Sequence, residues 1–525
     1  MSKVQEIIDL SEIEDSPDKI QSGGAKKKAT KKVATAKSKP AKKTASKKLA
    51  RDQPETKTKD EPKIKEEIKY KELPEPKYFP LAVKLPSTTG IFDEAAEIKF
   101  STNLDYSRFS YGFHHFIHAN KNKMEILKQF DGKKKVYLVM NDFERYVDNS
   151  EKSIDASSKS YFGLDKQPNI LSRGFFKLWE LFFMFDLIDT KKEKFISAHL
   201  AEGPGSFIQA TMFYRDMYCK KGVSKNDKFY AVTLHPEDLG GHVPELEKKF
   251  VQHYETEKPQ RFILHKTYPK QVAGGSKTKD NGDITDPKTI KLFGGQMTDR
   301  ADFITADGGF DWINENVQEQ EAFKLILAQI IATAKLQNKG GRFVCKFFET
   351  FTLTSAKLIA MLTELYDTVY MVKPLMSRAS NSEKYAVCIG FKHNDSSKEY
   401  KSICKKLDEL LKASHESSNK IVDLFPSYTI PRSLMVSLTQ VNTGIANRQL
   451  KSINEIVSFI KSQNYYGETY QNKREKQLAA SSYWAQIFYP DVDKLETARD
   501  KANELKTYSL QMNDVQIKEL DKSLN

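Results

Sequence analysis

At 525 residues the chain is long enough for one large catalytic domain with extensions, or for two or three ordinary domains. Its net charge of +14 favours an anionic partner. Four widely spaced cysteines (Cys219, Cys345, Cys388, Cys404) exclude a disulfide framework and a zinc site, and no apolar run reaches the length of a bilayer span.

Residues 1–74 are polar, charged and proline-punctuated, and are read as a disordered basic tail. Within it, Ala25–Arg51 (AKKKATKKVATAKSKPAKKTASKKLAR) serves a solubilising or nuclear-import role as readily as a tether to nucleic acid. The N-terminus, MSKVQEIIDLSEIEDSPDK, has no hydrophobic signal core, so a soluble intracellular protein is expected. Residues 75–171 are expected to pack on the catalytic domain as an N-terminal extension, with HHFIH and a strand at KKVYLVM as the readable segments.

The stretch 172–400 is far more legible. GFFKLWELFFMFDLI predicts an apolar helix, FISAHLAE a strand, Gly203-Pro204-Gly205-Ser206 a turn and FIQATMFYRDMYCK the next helix. FYAVTL and DFITA predict strands, and 318–336 an amphipathic helix with Phe323, Ile326, Leu327, Ile330 and Ile331 on one side. RFVCKFF, SAKLIAMLTELY, TVYMV and KYAVCIGF follow as strand, helix, strand and strand. This alternation predicts an α/β fold, a mostly parallel sheet with helices on both faces and ligands at the carboxyl ends of its strands. Residues 401–525 are expected to form a helical C-terminal region, with helices over Lys401–Lys412 and Ala446–Tyr465.

Several residues in 172–400 bear on chemistry. The glycines of AEGPGSF let the backbone approach a ligand, and the helix that follows offers amides to an anion, although a plain tight turn uses the same residues. NGDITD (281–286) could accept an adenine amino group or simply cap a helix. Asp307 stands where a strand ends. Lys346 lies inside the apolar strand VCKFF, which is costly unless its ammonium is paired or faces solvent at an edge. Lys177 interrupts an apolar helix and could snorkel. Glu383, in SNSEKYAV, would by itself be an ordinary surface residue.

In their order, Lys177, Asp307, Lys346 and Glu383 resemble the Lys–Asp–Lys–Glu tetrad of the FtsJ/RrmJ-like RNA ribose 2′-O-methyltransferases. The likeness spans roughly Ser172 to Lys392. HLAEGPG, TADGGFDW and KPLMSRASNSEKYAV are similar to the branch that modifies mRNA caps, on the first or second transcribed nucleotide. The resemblance implies a Rossmann-like S-adenosylmethionine-dependent methyltransferase sheet, S-adenosyl-L-methionine as cofactor, no metal, and RNA, capped mRNA above all, as partner. It implies cofactor contacts from Glu202, Gly203, Pro204, Gly205, Ser206, Phe207, Asp283 and Asp307. It also makes Lys346 the base that takes the ribose proton, with Lys177 supplying a neighbouring cation and Asp307 and Glu383 orienting the lysines. Ribosomal or transfer RNA is the alternative substrate, and a silent RNA-binding subunit the alternative role. A dinucleotide oxidoreductase is disfavoured because the turn reads GPGSFI, not G-x-G-x-x-G. The tail and helical end suggest a large DNA virus of eukaryotes as source, with host cytoplasm, virion or nucleus as location. The sequence departs from the family pattern at His199, at Ser206 and at LHPED, leaving Glu202, Glu237 and Asp238 as candidates to grip the cofactor's ribose and amino-acid portion.

Overall fold

The computed structural model describes residues 75–103, 109–144, 170–236, 245–257, 260–268, 280–309, 314–463 and 465–523. The expected tail, 1–74, and the candidates Glu237 and Asp238 lie outside these residues.

The strands in chain order are β1 (Leu81–Lys84), β2 (Ile98–Ser101), β3 (Ile196–Leu200), β4 (Lys228–Val232) and β5 (Phe262–Leu264). They continue with β6 (Ala301–Ala306), β7 (Gln337–Phe347), β8 (Tyr366–Lys373), β9 (Lys384–Phe391) and β10 (Lys420–Leu424). Eight of them form one sheet in the order β1-β8-β9-β7-β6-β3-β4-β5, while β2 and β10 make a separate ribbon. The pairings from β5 through β4, β3 and β6 to β7 are parallel; β9, β8 and β1 extend the sheet antiparallel. From β3 the chain moves outward through β4 and β5, then returns to β6 on the other side of β3. Strand order therefore reverses between β3 and β6, and a crevice opens at such a switch point beyond the strand ends.

The helices begin with α1 (Tyr111–Lys121), α2 (Arg173–Phe185), α3 (Ser206–Tyr218), α4 (Lys248–Glu257), α5 (Pro287–Gln296) and α6 (Gln318–Leu336). They end with α7 (Leu353–Leu365), α8 (Lys398–Glu416), α9 (Arg432–Lys461), α10 (Gly467–Phe488) and α11 (Leu495–Ser523). Successive strand residues point to opposite faces, so each strand feeds two cores. Phe303, Val344, Tyr385 and Val387 pack with α2, α3 and α4, whereas Ile304, Phe343, Cys345 and Ala386 pack with α6 and α7. Burial on both faces is why these strands read as continuous apolar runs rather than alternating ones.

Ser172 caps α2, its Oγ accepting from Gly174 N at 3.1 Å, and Asp186 ends the helix at φ 47°. Every residue of α2 except Arg173 and Lys177 is buried. The C-terminal helices join both cores: Leu434, Leu438 and Val441 of α9 on one face, Trp484 of α10 and Leu505 of α11 on the other. Helix α11 also occupies the outer edge of the sheet. Ala82 N donates to Ser509 Oγ at 2.8 Å, and Asn513 Nδ2 donates to Ala82 O at 3.2 Å, which satisfies backbone groups that an edge strand leaves open.

KKVYLVM is not a strand. Val136–Met140 forms a 3-10 helix whose Val139 packs with Ile456, Phe459 and Ile460 of α9. An apolar run this short fits either period, and packing against a neighbouring helix decided it. Among the described residues no helix is long and apolar enough to cross a membrane.

Candidate active site

The turn leaving β3 and the strand end of β6 meet at the switch point. Gly205 adopts φ +107°, and a Cβ there would lie 3.0 Å from Leu246 Cδ2 and 3.2 Å from Leu171 Cδ1. Only glycine suits both the conformation and the space. The amides of α3 are not free as the sequence suggested. Glu202 Oε1 accepts from Phe207 N and Ile208 N, each at 2.8 Å, so a carboxylate of the chain itself caps the helix. Its Oε2 is buried and, among the described residues, has no hydrogen-bond partner. Burial pushes the Glu202 carboxyl up to about 8, the negative charge of Asp307 adding to this and the two amide bonds opposing it. Ser206 turns away from the crevice toward α2, its Oγ 2.6 Å from that of Ser172. His199 is a core residue: Nδ1 lies 2.7 Å from Thr305 Oγ1 and Nε2 2.9 Å from Ser197 Oγ, and burial lowers its pKa to about 3.

Strand register assembles the four tetrad positions. Strand β7 lies inside the sheet between β6 and β9, so Lys346 is not an edge residue. Its register partner on β9 is Tyr385, and Glu383 precedes Tyr385 by the two residues that keep it on the same side. Lys346 Nζ donates to Asp307 O at 2.8 Å and lies 3.2 Å from Asp307 Oδ1. Lys177 reaches in from α2 and pairs with Glu383 Oε1 at 2.6 Å. The Tyr385 hydroxyl stands between the two carboxylates, 2.9 Å from Glu383 Oε1 and 3.3 Å from Asp307 Oδ1. Side-chain exposures of 12%, 16%, 14% and 26% for Lys177, Glu383, Lys346 and Asp307 leave the cluster reachable but largely desolvated. Burial works to raise the Glu383 pKa, yet the ammonium groups of Lys177, Lys346 and Lys373 outweigh it and hold the carboxyl well below its usual range.

The loop 280–286 is anchored at the carboxyl end of β4. Asp280 accepts from Gly282 N at 2.7 Å and Thr289 Oγ1 at 2.9 Å, and its other oxygen lies 2.6 Å from His265 Nε2. Gly282, at φ +79°, presses on the Thr233 carbonyl so closely that a Cβ would sit 2.0 Å from that oxygen. Asp283 Oδ1 accepts from Thr285 N at 2.9 Å and Thr285 Oγ1 at 2.6 Å, and Asp286 caps α5 through Lys288 N at 2.8 Å. The loop is thus an Asp-rich turn and a helix cap as well as a candidate adenine loop.

A sheet of this order, a glycine turn after its first parallel strand and this two-lysine, two-carboxylate cluster agree with one family: residues 170–391 match the model of the FtsJ-like methyltransferases. These residues form an FtsJ-like methyltransferase domain. Cap-specific mRNA (nucleoside-2′-O-)-methyltransferase 1A of Caenorhabditis briggsae is 29% identical over 308 residues, 57% of this chain and 32% of that protein. Inactive cap-specific mRNA (nucleoside-2′-O-)-methyltransferase 1B of the same organism is 28% identical over 308 residues, 57% of this chain and 33% of its own length. Cap-specific mRNA (nucleoside-2′-O-)-methyltransferase 2 of Drosophila melanogaster is 24% identical over 278 residues, 52% and 37% of the respective chains. The chain spans about a third of the length of these relatives.

The FtsJ-like domain holds its Glu383 loop with two groups that sequence reasoning passed over. Lys373, at the end of β8, is buried and donates to Ser377 Oγ, Asn381 O, Asn381 Oδ1 and Glu383 O at 2.7–3.1 Å, which folds 373–383 into a closed turn. Glu180, fully buried in α2, accepts from Leu375 N at 2.8 Å, Met376 N at 3.2 Å and Trp484 Nε1 of α10 at 3.2 Å. Burial raises its carboxyl to about 7 against these three bonds. The available signal was a charged residue inside an apolar run, the same signal that marked Lys177 and Lys346. Tyr385 gave less, since a tyrosine in a strand is ordinary.

Proposed function

We propose that the chain transfers a methyl group from S-adenosyl-L-methionine to a ribose 2′-hydroxyl of RNA, on the cap-proximal nucleotides of mRNA. The observation that carries this reading is the side-by-side pairing of Lys346 with Asp307 and Lys177 with Glu383 at the strand ends beside the glycine turn. A scaffold has no use for two half-buried ammonium groups held at one crevice.

The residues around the turn fit the cofactor. The unpartnered, buried Oε2 of Glu202 is an acceptor suited to the ammonium of a methionine moiety, and Gly282, seated tightly against Thr233 at the end of β4, supports a role for its neighbour Asp283 in adenine recognition. When bound, the cofactor supplies a methyl group already activated by its positive sulfur. The remaining task is the hydroxyl, a poor nucleophile at neutral pH. Lys346 Nζ accepts its proton as the oxygen attacks, after first giving up one of its own, and Asp307 fixes the direction of the amine. Lys177 and Glu383, tied to each other and to Tyr385, hold the ribose side of the crevice. General-base assistance of this kind is worth roughly 10²–10⁴-fold, and fixing both reactants in line supplies much of the rest.

The test is incubation with methyl-labelled cofactor and matched RNAs that are uncapped, capped, or capped and already methylated at the first ribose, followed by mapping of the labelled nucleotide. Label on a cap-proximal 2′-oxygen is the expected result. Label confined to ribosomal or transfer RNA would move the substrate, and no label on any RNA would leave the silent subunit that the inactive relative's name describes.

A further inference from the structure

The two residues of α2 that escape burial, Arg173 and Lys177, are one turn apart, about 6 Å along the helix at 1.5 Å per residue. Lys177 serves the tetrad. Arg173 faces a separate cavity of about 290 Å³, closed on one side by the turn after β8 and on another by α9 and α10. Seven cationic side chains line this cavity against three carboxylates. Two of the carboxylates are consumed. Glu144 is buried between Arg173 and Arg378, accepting from both guanidinium groups, and Asp142 pairs with Lys476 at 2.9 Å. The third, Glu455, is exposed on α9. Among the described residues Arg448, Lys451 and Lys473 have no ion pair, and Arg448 instead lies over the Phe79 ring at 5.5 Å. Gln449 Nε2 donates to Ser380 O at 3.2 Å, fixing this stretch of α9 against the same turn that presents Glu383. Lys373 links the two sites directly, since it lines the cavity and donates to Glu383 O at 2.9 Å.

An excess of cations lining a half-open cavity next to a site for a ribose hydroxyl calls for an anion on the same ligand. We propose that this cavity is a phosphate site, taking a phosphate of the RNA strand whose ribose lies at the tetrad, with Arg448, Lys451 and Lys473 as its cations. The C-terminal helices are then part of the substrate path. The proposal rests on RNA being the substrate.

The experiment measures binding of the full chain to labelled single-stranded RNA of one sequence, bearing either a 5′-hydroxyl or a 5′-triphosphate, over a range of salt. The double variant Lys451→Ala, Lys473→Ala is compared with a control of equal charge loss on a distant face, Lys405→Ala, Lys412→Ala on α8. The slope of log affinity against log salt falls by about 0.7 on single strands for each phosphate no longer neutralised, so the double variant, which disables one phosphate site, should lose about 0.7 and the control nothing. Loss on both RNAs assigns an internucleotide phosphate, and loss on the triphosphate RNA alone assigns the 5′ end; either upholds the site. A slope unchanged from the wild type, or equal losses in variant and control, overturns it, whether or not inorganic phosphate binds. If methyl transfer failed in the wild type while this binding loss persisted, the proposed reaction would fall and the phosphate site would stand.

Discussion

Lys346 and Tyr385 face each other across the antiparallel β7–β9 pairing, and the Tyr385 hydroxyl bridges the carboxylates of Asp307, just past β6, and Glu383, just before β9. One phenol proton serves two acceptors, so it cannot satisfy Asp307 and Glu383 at once. Removing it leaves their charges to be held by the lysines alone. Tyr385→Phe keeps the ring and should cost no more than about 1 kcal/mol of stability. Methyl transfer should fall roughly ten-fold, equivalent to about 1.4 kcal/mol. Urea denaturation and a labelled-methyl assay measure the two effects, and undiminished transfer would remove Tyr385 from the site.

Lys346→Ala should abolish transfer while leaving cofactor affinity within a few-fold. Lys346→Arg should be inactive as well, because a guanidinium retains charge but does not release a proton at neutral pH. Equilibrium binding of the cofactor and single-turnover transfer separate the two properties. Turnover by either variant at the wild-type rate refutes Lys346 as the base.

Glu202 predicts a pH dependence of defined sign. Its folded carboxyl titrates at about 8 against an ordinary 4.5, so between those values the folded protein holds more protons than the unfolded one. Stability from this group is complete below about 4.5 and is lost as pH rises through about 8, by a few kcal/mol at most. Glu202→Gln should therefore gain on the wild type as pH rises over that window in thermal melts. If the carboxylate receives an ammonium from the cofactor, binding near pH 7 must release up to about one proton. Calorimetry in buffers of different ionisation enthalpy detects this, and zero release would exclude the contact.

Gly282→Ala tests the seating of the candidate adenine loop. A Cβ 2.0 Å from the Thr233 carbonyl at φ +79° cannot be accommodated without moving the loop or the end of β4. Cofactor affinity should drop at least ten-fold, while α2 and the far edge of the sheet, remote from the change, keep their protection in hydrogen exchange. Unchanged affinity would show that loop 280–286 does not contact the cofactor.

The central sheet was legible because strands buried on both faces leave long apolar runs; Lys177, Lys346 and Asp307 stood out as charges placed where burial penalises them or where a strand ends, whereas Glu383 stood out only through the order of the four. What the sequence concealed was mutual geometry. Nothing in HLAEGPGSF tells whether Glu202 points to solvent or back onto Phe207 N and Ile208 N, because capping by a side chain leaves no periodicity. Lys373, at the end of TVYMVK, looked like a boundary lysine, yet it is buried among four oxygens. KKVYLVM misled because its apolar residues answer to α9, more than 300 residues later, and not to a strand partner. Strand β1 escaped notice for a related reason: LAVK is too short to show a period, and α11 completes its hydrogen bonding.

The matched family segment ends at residue 391, but the turn that presents Glu383 does not hang from that segment alone. Glu180 grips Leu375 and Met376 with a carboxylate that also holds the indole of Trp484, nearly a hundred residues beyond the boundary. Cutting the chain after β9 would strip this anchor of one of its three donors and unroof the aromatic side of α2. In this protein, then, the four-residue cluster and the distal helices are a single mechanical part, and a change on α10 reaches the Glu383 turn through Glu180.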